Sequence, residues 1–498
     1  MTDTSALLMR AIADELTAQI IPKLKSADAI ERATFARSVL LQLAADLDVL
    51  PAVAVALVPQ MRAAISAAIK DLPASLSAKS ATWRAAFDSI ASETGLACQR
   101  EVASLRALGA SMARMLADLA RSDADAAPES PLALAALKRL GSVDCNWLTE
   151  YDTARNNVTV VSAAAPLSGG AASSATPNAM TATAYLRRAF PKSPKIAATE
   201  VTPIPGGRSK KTFFISICGT DALPVDAVIR QDYALKYQGT AVRDEYLPLA
   251  KLSAMGLPVP RPLHLEAAES EMGPPFILVN RLRGSSPGTY FGLQKPCPGA
   301  FRDLARMLAV LHRAPPAELG FNIGSEPDRS LEHIVDQYEA KWRANSTKPS
   351  PLVDFAYAWA RQQAQRDRGV VAVVHGDVGP YNFLIDNDRL AAVLDWEFVH
   401  VGDPAEDIGI VRVYAEGVID WNEFLEIYAA AGGPEITEQR VRLSMILQFL
   451  KGTTLVAASG RNFEEGGTRD FTKGANAFTG QRLIELRIAG LLRRFEAL

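Results

Sequence analysis

What this chain has little of already limits what it can be. Its charges nearly cancel: 53 Lys and Arg against 55 Asp and Glu leave a formal net charge of −2 over 498 residues. A protein built around a nucleic-acid backbone or an anionic membrane needs a basic surface, so neither partner is expected. There are four cysteines, Cys98, Cys145, Cys218 and Cys297, with no CxxC pair and no zinc-finger spacing. That excludes a disulfide framework and a structural zinc site as organising features. No run approaches the roughly 20 apolar residues that span a bilayer. The most apolar early stretch, residues 50–61, is interrupted by Pro51 and Pro59. The N-terminus carries Asp3, Asp14 and Glu15 where an export signal needs a basic start and an apolar core. The cytoplasm is therefore the expected compartment.

What is present is globular: 48% apolar and 22% charged residues, on a length that suggests about three domains. Residues 1–160 read as helix after helix. Leu8, Ile12, Leu16 and Ile20 repeat every four residues, as do Phe35, Val39, Leu43 and Leu47. A new helix is expected after Pro51, with others over 80–121, broken near Gly95, and over 131–153. This all-α bundle holds no His and no clustered acidic motif. It reads as a docking or dimerisation module, and assembly of copies through it is expected. Residues 161–180 are small, polar and uncharged, a flexible linker and the main domain boundary. A chain starting near Thr181 is expected to fold alone.

After the linker the period changes. A short helix over 183–190 precedes extended runs at 200–204, 212–217 and 227–230, separated by Gly turns, an antiparallel meander. A helix over 242–255 and a strand over 276–282 follow. Helices are then expected at 301–311, 331–344, 353–368, 421–431 and 438–458, with strand-like runs at 371–375 and 390–394. No internal repeat is found.

The most informative stretch is VVHGDVGPYNFLI, residues 373–385. An apolar strand delivers His375-Gly376-Asp377, and Asn382 follows five positions after the Asp. Eighteen residues after Asp377 a second apolar run delivers Asp395-Trp396-Glu397. Two carboxylates and a carboxamide at adjacent strand ends suit a hard cation such as Mg²⁺, which takes oxygen ligands and pairs with phosphates. A carboxylate left free of metal can accept the proton of an attacking hydroxyl. Phosphoryl transfer needs this combination.

HGDVGPYN followed by LDWEFVHVGDP resembles the aminoglycoside phosphotransferase and choline kinase family, with its HGDxxxxN and DxE or DxD motifs. The wording DWEFVHVGDPAEDIG is most similar to the branch associated with acyl-CoA dehydrogenases. The resemblance covers residues from about 183 to the end. It implies an α+β, two-lobed, protein-kinase-like fold behind the helical bundle: an antiparallel-sheet N-lobe over 181–282 and a mainly helical C-lobe over 283–498. It implies ATP and Mg²⁺ as cofactors, Asp377 as catalytic base, and Asn382 and Asp395 as metal ligands. His375 then orients the loop, and His312 is structural. Glu397 is left open between touching a metal and bonding the loop. Asp403 and Asp407 read as caps and anchors of the next helix.

The segment PGGRSKKTFF, residues 205–214, resembles the family's phosphate loop. Gly206 and Gly207 let backbone approach phosphates, and Ser209 can donate to them. No GK[ST] follows, so it is not a Walker A loop. Arg230 ends the next strand where the family often has Lys, and Glu245 matches the helix glutamate that holds this cation. Lys236 is a rival phosphate ligand. Residues 276–282 resemble the hinge, with Asn280 and Leu282 presenting backbone groups to adenine. Asp395 and Gly402-Asp403-Pro404 lie too close for a long activation segment, which favours a small-molecule acceptor.

The expected protein is thus an ATP- and Mg²⁺-dependent kinase for a small-molecule hydroxyl, with a hydroxyacyl-CoA or hydroxy acid suggested by the branch. The alternatives are an aminoglycoside or other antibiotic kinase, and a non-catalytic nucleotide-binding pseudokinase acting through its helical domain. Residues 411–498 carry eleven basic and eleven acidic side chains, giving an acidic pocket for a polycation no support.

Overall fold

Residues 210–218 alternate as a half-covered strand must: Phe213, Ile215 and Ile217 are buried, while the residues between them are less so. That period builds the sheet on which the site depends. The computed structural model describes residues 4–24, 27–72, 76–90, 98–120, 130–158, 177–204, 210–232, 241–290, 292–321, 331–347, 350–366, 369–466 and 471–498. It is an α+β protein. Two compact units account for the chain: residues 1–167, 334–366 and 446–498 in the first, residues 168–333 and 367–445 in the second.

The second unit holds the sheet. Strands β1 (Ala197–Ile204), β2 (Lys210–Cys218), β3 (Asp226–Asp232), β4 (Pro262–Glu266) and β5 (Phe276–Asn280) form one antiparallel sheet in the order β1-β2-β3-β5-β4. The first helix of this unit, α6 (Ala179–Ala189), is capped by Asn178, whose side chain accepts from the amides of Met180 and Thr181. Its Tyr185 and Leu186 join Phe213, Ile215, Ile229, Phe276 and Leu278 in one apolar core. Helix α7 (Val242–Ala254) lies beside β3, β4 and β5.

Beyond β5 the unit becomes mainly helical, the second lobe of a protein-kinase-like fold. After the short pair β6 (Gly288–Thr289) and β7 (Gly292–Leu293) comes α8 (Pro298–Arg313). It buries Phe301, Leu304, Leu308 and Leu311, the i, i+3, i+4 stripe read from the sequence. Two small antiparallel pairs carry the chemistry-bearing loops: β8 (Ala372–Val374) with β11 (His400–Gly402), and β9 (Phe383–Asp386) with β10 (Arg389–Val393). Helices α11 (Ala405–Ala415) and α12 (Trp421–Ala430) complete this lobe.

Among the described residues the first unit holds helices and no strand. It contains α1 (Thr4–Glu15), α2 (Ala27–Lys70), α3 (Ser77–Ser89), α4 (Cys98–Ala120) and α5 (Ser130–Val158). It also takes nearly all of α9 (Leu331–Asn345), α10 (Pro351–Ala364), most of α13 (Glu438–Glu464) and α14 (Phe471–Arg494). Helix α10 packs on α4 and α5, and its Leu352, Phe355 and Tyr357 are buried. Gly141 of α5 sits so close to Phe355 that a Cβ there would meet the Phe355 Cβ at 2.9 Å and its ring at 3.1 Å. Contacts therefore group residues 334–366 and 446–498 with the helical bundle, whereas composition and motif order assign them to the C-lobe.

Two further differences concern α2. A break was expected at Pro51, but the helix runs 44 residues through Pro51 and Pro59. Each interior proline costs about 3 kcal/mol in a lone helix; here packing against α1, α4 and α5 along its length offsets that loss. The prolines consequently do not interrupt the apolar run. Residues 36–70 and α13 are each long and apolar enough to cross a bilayer by length and composition; the most apolar 18 residues of the first have mean hydropathy 1.8 and are 28% buried, those of the second 1.2 and 78% buried.

Candidate active site

The site begins with a buried loop anchor. Residues 372–374 are fully buried on β8, and the chain turns at Gly376, which has φ +77°. Asp407, on the first turn of α11, accepts from the amides of His375 and Gly376, both at 2.8 Å. His312 of α8 reaches the same carboxylate at 3.1 Å and Tyr428 of α12 at 2.8 Å. Burial works to raise the Asp407 carboxyl, but these donors hold it below the usual range. So an acid expected to anchor its own helix also fixes the preceding loop, and His312 is structural, tying α8, α11 and α12 together.

His375 is oriented as a support. Its Nδ1 accepts from the Asp377 amide at 3.1 Å, which leaves the proton on Nε2 to donate to the Leu394 carbonyl at 2.9 Å. The imidazole thus ties the loop after β8 to the loop after β10. A second link is the Leu394 amide, which donates to the Asn382 carbonyl at 2.8 Å.

Asp377 and Asn382 come together. Asn382 Nδ2 donates to the Asp377 carbonyl at 2.9 Å and to its Oδ2 at 3.1 Å. The other carboxylate oxygen, Oδ1, accepts from the Tyr381 hydroxyl at 2.6 Å. Asp395 follows β10 in a left-handed conformation, φ +63° and ψ +62°, a state L-residues adopt at a cost. This turn points its carboxylate at β3, where Arg230 Nη2 donates to Asp395 Oδ1 at 2.6 Å and to Glu245 Oε2 at 3.2 Å. The expected Arg230–Glu245 pair is therefore present and extends to Asp395. Burial pushes the Glu245 carboxyl up to about 7, with Arg230 opposing it. Arg230 stays charged, because its neighbouring carboxylates outweigh the desolvation of its buried head.

Two side chains that the sequence reading did not single out belong here. Lys210, at the start of β2, is buried and lies 3.3 Å from Asp232 and 3.5 Å from Glu397. Glu397 therefore meets a lysine. Lys210 directly follows the glycine segment, and an isolated Lys beside a turn gives no signal of burial. Tyr381 is the other; it sits inside the motif but at a position the motif leaves unspecified. Asn280 spends its backbone N–H and side-chain oxygen on Arg261, at 3.1 and 2.6 Å. Leu282 lies past β5, and its backbone groups have no hydrogen-bond partner among the described residues. Gly206, Gly207, Ser209 and Lys236 lie outside the described residues.

The residues fit a magnesium nucleotide. Arg230 Nε is buried without a hydrogen-bond partner among the described residues, a donor suited to an anion. Asp395 and Asn382 offer hard oxygen donors, the set Mg²⁺ takes when phosphates and water supply the rest. No group of three or more His, Cys, Asp or Glu forms a closed metal cage among the described residues.

Residues 200–443 match the model of the phosphotransferase enzyme family. The chain carries a phosphotransferase-family domain. Acyl-CoA dehydrogenase family member 11 of Rattus norvegicus is 25% identical over 245 residues, which are 46% of this chain and 30% of the rat protein. Viomycin phosphotransferase of Streptomyces vinaceus is 25% identical over 170 residues, 32% of this chain and 56% of that enzyme. The chain thus spans less than two thirds of either relative. Among solved structures, a thermostable mutant of aminoglycoside phosphotransferase APH(4)-Ia, in a ternary complex with ADP and hygromycin B, superposes with a TM-score of 0.43 at 16% identity, over 63% of this chain and 98% of that one. The family match and the rat relative bear out the resemblance read from the motifs, including its branch. All the site residues named above lie inside the phosphotransferase match, and helices α1 to α6 lie outside it.

Proposed function

We propose that this protein transfers the γ-phosphoryl group of ATP, with Mg²⁺, to a hydroxyl of a small molecule. The observation that carries the reading is the meeting of Arg230, Glu245 and Asp395 beside the Asp377–Asn382 pair, within one unit of the structure. When bound, Mg²⁺ neutralises charge on the transferred group. Asp395 and Asn382 would hold it, and Arg230, kept in place by Glu245, would bind phosphate oxygens. The Gly206-Gly207 segment and Ser209 would cover the phosphates, and the backbone near Leu282 would meet adenine. Asp377, kept off the metal, would accept the proton of the acceptor hydroxyl as it attacks.

The acceptor class has two supports that point differently. The rat relative is named for an acyl-CoA dehydrogenase family, which favours a hydroxyacyl-CoA or hydroxy acid. The Streptomyces relative is named for viomycin, which favours an antibiotic. A phosphorylation screen of hydroxyacyl-CoAs, aminoglycosides, viomycin, choline-like alcohols and sugars, with and without Mg²⁺, separates these readings. Mg²⁺-dependent transfer to one class supports the proposal. Nucleotide binding with no transfer to any acceptor or to water supports a pseudokinase instead. Assembly of copies through the helical unit belongs to the same proposal, and light scattering tests it.

A further inference from the structure

The loop GDVGPYN carries one glycine whose backbone does not explain it. Gly379 has φ −91° and ψ 163°, a conformation open to any residue. What singles it out is space. A Cβ on Gly379 would lie 2.2 Å from Cε1, 2.5 Å from Cζ and 2.8 Å from the hydroxyl of Tyr381. Only a residue without a side chain lets the Tyr381 ring fold back over position 379. Pro380 fixes the backbone between them, and the turn closes through Gly379 N to Asp377 O at 2.9 Å and Asn382 N to Gly379 O at 2.9 Å.

The ring folded this way delivers its hydroxyl to Asp377 Oδ1 at 2.6 Å, while Asn382 Nδ2 holds Oδ2 at 3.1 Å. The ring is braced by Tyr290 and Tyr414, with centroids 5.7 and 6.2 Å away, and Tyr414 is itself tied to the Tyr290 carbonyl at 2.7 Å.

We propose that Tyr381, seated on Gly379, is a positioning residue for Asp377: its hydroxyl fixes the carboxylate rotamer and occupies the oxygen that could otherwise turn to a metal, which keeps Asp377 a base while Asp395 serves as ligand. The proposal rests on the phosphotransferase reading above and divides labour between two carboxylates that the motif alone does not distinguish. A carboxylate has about four lone-pair directions, so a donor fixed on each oxygen sets its orientation and restricts where an acceptor hydroxyl can approach. Misplacing a reacting group by about 1 Å can cost about 100-fold.

The test uses the full chain with water as the phosphoryl acceptor, and follows Mg·ATP binding by calorimetry alongside turnover. Tyr381→Phe keeps the ring and removes the hydroxyl. It should lower turnover by about 10- to 100-fold while Mg·ATP affinity stays within about twofold of wild type. Gly379→Ala, which keeps the tyrosine but displaces its ring and with it the hydroxyl, should reproduce that split. In an Asp377→Asn background Tyr381→Phe should cost no further activity, because a residue acting through Asp377 has nothing left to position. Wild-type turnover by Tyr381→Phe would overturn the inference, as would an equal loss in the Asp377→Asn background, which marks a merely structural role. A wild-type protein that binds Mg·ATP but never turns it over would remove Asp377 as base and this inference with it. One that does not bind Mg·ATP would overturn the underlying reading itself.

Discussion

Asp377 and Asp395 are 18 positions apart, and each is the first carboxylate after an apolar run; their surroundings separate them. Asp377 is bonded by a hydroxyl and a carboxamide, Asp395 by a guanidinium. Asp377→Asn should therefore leave the fold and Mg·ATP binding intact and reduce phosphoryl transfer at least about 100-fold, the low end of what a general base contributes. A rapid-quench assay that found near-normal transfer would remove the base from this position. Asp395→Ala should weaken Mg·ATP binding measured by calorimetry, and Asn382→Ala should do so less, since a carboxamide brings no charge to the metal. Wild-type affinity in both variants would dismiss the metal site. At this scale the sequence was most legible, because the spacing of Asp377, Asn382 and Asp395 survives as geometry. What it hid were partners drawn from distant elements: Lys210 with Glu397, and Asp407 with the amides of His375 and Gly376. No spacing rule encodes a contact between residues 187 or 32 positions apart.

Elements were legible in proportion to their period. The stripe of α8, the alternation of β2 and the helix α7 all appear where expected. Shorter strands such as β4, β9 and β11 were not read, because three to five residues carry too little pattern. The prolines of α2 misled for the opposite reason: tertiary packing overrode a local rule. Helix α10 is informative in a third way, since it buries a charge. Asp354 accepts from the Trp342 indole at 3.3 Å and faces Arg114, Arg343 and Glu339. Burial nonetheless pushes its carboxyl up to about 7. The folded state thus binds this proton more tightly than the unfolded chain, where an aspartate titrates near 4. The resulting stability is fully present below about pH 4 and is lost as pH rises through about 7. Asp354→Asn keeps the acceptor for Trp342 and removes the titration. Urea denaturation should then show a smaller loss of stability between pH 5 and pH 8 in the variant than in wild type. Equal slopes would mean that Asp354 is ionised in the fold throughout.

For the molecule as a whole, composition suggested a cut at residues 161–180 and a kinase unit able to stand alone. Composition reports where the chain is poor in apolar groups; it does not report which distant helices share a core. Residues after 333 return to the helices before 158: Leu352 N donates to Asp144 at 3.3 Å, Arg343 pairs with Asp118 at 2.7 Å, and Arg106 pairs with Asp144 at 2.7 Å and lies 3.7 Å from Glu485. Phe355 and Leu352 are buried in the same set of helices as Leu105, Met112, Leu116 and Leu137. A chain beginning near Thr181 keeps α9, α10, α13 and α14 but loses α4 and α5, so the buried side of α10 would face water, the Leu352 amide would lose Asp144, and Glu485 would lose Arg106. Burying side chains of this size is worth about 1.5–3 kcal/mol each, and folded domains have only about 5–15 kcal/mol to lose. The truncated chain should therefore be insoluble, or soluble without a cooperative thermal transition, whereas the full chain melts cooperatively. Adding residues 1–160 as a separate polypeptide during refolding should restore a soluble complex, because the partner surface lies in α2, α4 and α5. If instead the truncated chain melts cooperatively at the wild-type temperature and binds Mg·ATP unaided, the helices after residue 333 do not depend on those before 158, and the two compact units are a matter of packing rather than of folding.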